Sequence, residues 1–101
     1  MVKPLRFSAH VVSDLQNGVG WYERISLRLG NRFRAAVRAQ FMEITTHPQT
    51  FGIAFDDVRF ARLRRFPYLI LFRDANQAIL VLGVLHSASD PERWRNRVSG
   101  L

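Results

Sequence analysis

The 101-residue chain carries 15 Lys and Arg residues against 8 Asp and Glu, a net charge of +7 with histidines neutral. Its 48% hydrophobic and 23% charged residues match an ordinary globular protein and exclude intrinsic disorder, and the length predicts one domain over residues 1–101 with no room for a second. No cysteine is present, which excludes disulfide frameworks, iron–sulfur clusters, cysteine zinc sites and thiol nucleophiles.

The longest strongly apolar run, Ala78 to Leu85, is 8 residues and too short to span a bilayer. The opening MVKPLRFSAH lacks the apolar core of a signal peptide, so a cytoplasmic protein with no membrane partner is expected. Of the 15 cations only Lys3 is a lysine. Arginine pairs with phosphate or carboxylate through a planar fork, so this charge fits a nucleic-acid backbone or an acidic protein segment. A solvated arginine surface is the plainer reading of the same count.

Lys3 to Ala9 alternates, with Leu5, Phe7 and Ala9 on one side and Arg6 and Ser8 on the other, which predicts a strand. From Val11 the period changes. Val11, Leu15, Val19, Tyr22, Ile25 and Leu29 recur at three- and four-residue steps and build the apolar stripe of a helix. Ser13 and Asp14 suit its first turn and Arg24 and Arg28 the negative end of its dipole, while Gly18 and Gly20 weaken its middle. Gly30–Asn31 predicts a break, after which Phe33, Val37, Phe41 and Ile44 form a second stripe ending before His47–Pro48. So short a connection predicts an antiparallel helical hairpin with Arg34 and Arg38 on its outer face.

Beyond Pro48 the pattern turns to β-structure. Gln49 to Asp57 reads as a loop with Phe51, Ile53 and Phe55 turned back onto the core. Val58 to Arg65 reads as an arginine-bearing strand, Tyr68 to Arg73 as a central strand covered on both faces, Asp74 to Gln77 as a turn, and Ala78 to His86 as a second buried strand. Asp90 caps, and Pro91 opens, a tail expected to form a turn or more of basic helix. The fold class is α+β: an N-terminal strand, then an antiparallel helical hairpin packed on one face of a small antiparallel sheet in the order β-α-α-β-β-β, with a short basic C-terminal tail.

Four segments stand out together: Trp21-Tyr22-Glu23; Leu29-Gly30 followed by Phe33; Arg65-Phe66-Pro67-Tyr68; and His86 followed by Asp90-Pro91 and Trp94. In this order and spacing the chain resembles, over nearly its whole length, the RelE/ParE superfamily of type II toxins, which includes the plasmid stabilization proteins. The resemblance implies a toxin that arrests growth once its cognate antitoxin is degraded. ParE-like members bind DNA gyrase and trap it on cleaved DNA without catalysis. RelE-like members enter the ribosome and cut messenger RNA with arginines, lysines and sometimes a tyrosine. The resemblance also implies an antitoxin whose C-terminal segment wraps the toxin's basic surface, with a homodimer or a toxin–antitoxin heterotetramer as the alternative assemblies.

The chain departs from the RelE-like pattern at two places. Tyr68 stands where those toxins carry an arginine at the start of the central strand, and His86-Ser87-Ala88-Ser89 stands where a second arginine and further basic residues follow the last strand. Nearer relatives commonly carry an arginine at the position of Ser89. The ParE-like route is therefore the expectation and a ribosome-dependent mRNA endonuclease the alternative, in which His86 acts as general base and Arg62 supplies a cation. Contacts to antitoxin or target are expected from Arg59, Arg62, Arg64, Arg65, Tyr68, Arg73 and Trp94. Each motif residue also has a plainer structural role: Trp21 and Tyr22 in or beside the core, Pro67–Tyr68 as a strand start, His86 as a hydrogen-bonded histidine, Trp94 as a cover for the open end of the sheet. His10 and His47 have no partners at ligand spacing and no glycine-rich phosphate loop follows a strand, so neither a metal nor a cofactor is expected.

Overall fold

Five strands form one sheet in the computed structural model, which describes residues 2–99. They are β1 (Leu5–Phe7), β2 (Ile53–Phe55), β3 (Val58–Arg62), β4 (Tyr68–Asp74) and β5 (Ile79–His86), in the spatial order β1-β5-β4-β3-β2. Two helices, α1 (His10–Glu23) and α2 (Leu27–Thr46), follow β1 as a hairpin, and α3 (Pro91–Ser99) follows β5. The α+β class, the hairpin and the order of elements agree with the sequence reading. The sheet is mixed rather than antiparallel, because β1 runs parallel to β5 with Leu5 opposite Ile79, while all other neighbours are antiparallel. A strand of three residues carries too little pattern to declare its partner or its direction.

Period-two alternation gives the sheet two apolar faces. On one, Ala61, Ile70, Phe72, Val81 and Val84 pack beneath Val11, Val19, Phe33, Val37 and Ile44 of the hairpin. On the other, Val58, Leu69, Leu71, Leu82 and Leu85 pack with Trp94 and Val98 of α3. The tail is therefore a third layer. Asp90 accepts the Glu92 amide at 2.9 Å as the expected cap, and Trp94 covers a face of the sheet rather than its end.

The helix break falls at Arg24–Ser26 and not at Gly30–Asn31. Ser26 is extended and its hydroxyl accepts the Leu29 amide at 3.0 Å, a side-chain cap that outcompetes the glycine signal. Gly30 instead lies inside α2 facing Glu23, where a Cβ would overlap the glutamate side chain. This shift takes Ile25 out of the apolar stripe, leaving it 67% exposed, and moves Arg28 to the first turn of α2, the unfavourable end of that dipole. The segment read as a loop contains a 3-10 turn at Pro48–Thr50 and the edge strand β2, with Phe51 against Phe72, Phe55 toward the α3 layer, and Ile53 exposed instead of tucked inward.

β1 covers β5 only through Val81; beyond it, side chains close the edge. Ser8 donates to the Leu82 carbonyl at 3.1 Å, and the Asp14 carboxylate accepts the Val84 amide at 2.9 Å. Arg97 of α3 reaches the same carboxylate with two nitrogens, passing Gly83, where a Cβ would sit 2.6 Å from its Nη1.

Candidate functional site

The motif segments converge first as packing. Phe33 lies with ring centroids 5.2 Å from Tyr22, 5.3 Å from Phe66 and 5.0 Å from Tyr68. Tyr22 also meets Phe66 edge-on at 4.9 Å. One aromatic box thus unites three of the four segments, joining α1, α2 and the β3–β4 connection to β4. Trp21 lies outside it, 58% exposed.

Three of the expected contact residues hold the fold together. Arg59 donates to the Phe51 carbonyl at 2.6 Å, Arg73 donates to Asp57 at 3.0 Å, and the Trp94 indole donates to Ser89 Oγ at 2.8 Å. Ser89, the position where an arginine was expected from relatives, is thus the acceptor that seats Trp94.

A polar notch of about 170 Å³ opens where β5 ends and β4 begins, lined by Asn17, Tyr68, His86, Ser89, Arg93 and the Asp14–Arg97 pair. His86 pairs with Tyr68 across the strands, ring centroids 5.2 Å apart. Its Nδ1 accepts the Ala88 amide at 3.1 Å, which places the proton of the neutral ring on Nε2. Burial pushes the Tyr68 hydroxyl above the ordinary tyrosine range, and burial together with Tyr68 does the same to Tyr22. Both phenols stay protonated at neutral pH.

Arg62 does not join this notch. It pairs with Leu69 of β4 and its guanidinium lies 5.6 Å from the Phe60 ring centre, whereas His86 pairs with Tyr68. The candidate base and cation therefore line separate pockets, Arg62 a groove against α2 and His86 the notch. Arg62 and Arg64 border a groove of about 590 Å³ against Gln40, Glu43 and Phe51. Arg64 and Arg65 border a second, of about 580 Å³, floored by Leu29, Ala36 and Phe66 and faced by Arg32. The two grooves share Ala36 and Arg64 and form one trough along α2. Arg65 sits at φ 67°, left-handed backbone that a non-glycine residue enters at a cost of about 1–2 kcal/mol. Among the described residues, neither Arg32, Arg64 nor Arg65 meets a carboxylate.

The sequence reading did not single out Arg32, Arg93 or Arg97, and placed Asp14 as a first-turn residue. Arg32 and Arg93 sit on helices whose facing grooves exist only after folding. Among the described residues no three His, Asp or Glu side chains cluster as a metal site, and no helix is long and apolar enough to cross a membrane.

Comparison with known proteins follows the same outline. No curated protein matches the chain. A solved structure from the chromosomal ParDE toxin–antitoxin system of P. aeruginosa superimposes with a TM-score of 0.73 at 18% identity, covering 84% of this chain and 96% of that one, a likeness of fold. Residues 5–91 match the family model of the ParE toxin of the type II toxin–antitoxin system parDE. With that match spanning both helices, all five strands and the aromatic box, the chain belongs to the ParE toxin family.

Proposed function

We propose that this chain is a growth-arresting toxin that binds DNA gyrase and holds it on cleaved DNA, doing no chemistry of its own, and that a cognate antitoxin neutralises it. The family match supports the toxin reading. The observation that carries the choice of target is the placement of His86 and Arg62 in separate pockets, which leaves the RNA-cutting alternative without the base and cation it was expected to use. The alternative keeps one argument, the notch that gathers Tyr68, His86 and Arg93.

The antitoxin's acidic and apolar segment is seated in this reading along the α2 trough, with Arg62, Arg64 and Arg65 on one bank and Arg32 on the other. Arg59 and Arg73, already engaged internally, contribute less.

Translation of a preformed messenger RNA in a purified ribosomal system decides between the routes, since it contains no gyrase. Unimpaired translation, together with loss of supercoiling and accumulation of cleaved DNA when gyrase is supplied separately, is the expected result. Cuts at ribosome-bound codons that disappear in His86→Ala would establish the endonuclease instead.

A further inference from the structure

The tip of the helical hairpin is an unpartnered apolar surface. Leu27 is 71% and Ile25 67% exposed, the two most exposed large hydrophobic residues among those described, and Trp21 beside them is 58% exposed. Trp21 and Ile25 are one turn apart on a backbone that stays helical through Arg24, so their side chains leave α1 on the same side, and Leu27 opens α2. The sequence periodicity assigns Ile25 to the core; the fold exposes it. Arg24 and Arg28 flank the three residues, are themselves exposed, and meet no carboxylate among the described residues. An exposed tryptophan with aliphatic neighbours and a rim of arginines has the composition of a protein–protein hot spot.

We propose that this tip is the surface that engages the protein target, inserting Trp21 and Ile25 into an apolar pocket rimmed by carboxylates that pair with Arg24 and Arg28. The inference rests on the target reading above and locates it. It also gives neutralisation a physical route. Leu29 and Arg32, which border the arginine trough, directly follow the tip on α2, so a segment seated in the trough crowds the same end of the helix.

The test is binding of immobilised protein to purified DNA gyrase, with phosphatidylglycerol vesicles and duplex DNA as parallel analytes. Trp21→Ala and Ile25→Ser remove exposed groups and leave the melting temperature unchanged, and each is expected to weaken gyrase binding by about tenfold or more. Arg24→Glu with Arg28→Glu is expected to slow association and flatten its salt dependence. Wild-type affinity in Trp21→Ala and Ile25→Ser would overturn the inference while leaving gyrase as the target. Failure of the unaltered protein to bind gyrase would remove both. Trp21-dependent binding to vesicles or to DNA, but not to gyrase, would make the tip a lipid or nucleic-acid contact and overturn the inference equally.

Discussion

Asp14 and Arg97, 83 residues apart in sequence, hold each other across the open edge of β5, with Arg97 Nη2 3.0 Å from Asp14 Oδ1. The side chains retain only 10% and 14% of their exposure. The carboxylate comes from the hairpin side of the sheet and the guanidinium from the α3 side, so one ion pair fastens three layers together. Asp14 also accepts the Val84 amide, replacing the strand that β5 lacks beyond β1.

Removing one member leaves the other charge largely desolvated. Arg97→Ala is expected to cost about 3 kcal/mol. Asp14→Ala is expected to cost at least as much, because it also orphans the Val84 amide. The double variant should lose less than the sum of the two, and a urea-denaturation cycle measures the difference.

Gly18 and Gly20, two positions apart in α1, should respond oppositely to alanine. A Cβ at Gly18 would stand 2.8 Å from two ring carbons of Phe33, which is fully buried, whereas at Gly20 nothing lies within 4 Å. Gly18→Ala is therefore expected to destabilise by about 1–3 kcal/mol through overpacking of the aromatic box. Gly20→Ala should stabilise by about 0.5–1 kcal/mol through helix propensity. Midpoints of urea unfolding read both signs directly.

Ser26→Ala tests where the first helix ends. Loss of the hydroxyl that accepts the Leu29 amide is expected to cost about 1 kcal/mol. If the break were at Gly30–Asn31 the same change would be neutral.

Stability should fall in alkali. Tyr22 and Tyr68 have their hydroxyls raised above 10.0 by burial. Between the unfolded and the folded value the native phenol keeps a proton that the unfolded chain has lost. Their contribution is thus complete below pH 10.0 and declines as the pH rises toward their native values. Unfolding midpoints compared at neutral pH and above pH 10.0 show the decline, and Tyr68→Phe is expected to make it shallower.

Long periodic segments were legible in the sequence because burial enforces their period. The apolar runs of β4 and β5 and the stripe of α2 all reappear with ends displaced by a few residues. Ser26 defeated the glycine signal at the hairpin because a side-chain cap and a glycine stop compete locally, and Glu23 needed Gly30 for close approach instead. The parallel pairing of β1, the edge strand β2 and the α3 layer depend on partners far along the chain, which no local window contains. The candidate site suffered in the same way. Arg59 and Arg73 look available in sequence but are taken by Phe51 and Asp57, while Arg32 becomes a site residue only when α2 lies beside the β3–β4 connection.

The pairing of β1 with β5 also bears on how the fold closes. Leu5, Arg6 and Phe7 find their neighbours, Ile79, Leu80 and Val81, 74 residues further along the chain. The apolar stripes of both hairpin helices are covered only once β3, β4 and β5 have paired. The cheapest pairings to close are the short-range β2–β3, β3–β4 and β4–β5 hairpins, and the β1–β5 pairing carries the largest loop-closure cost. The parallel edge of the sheet is thus the pairing that costs most entropy to form, and the one that local stretches of chain cannot nucleate alone.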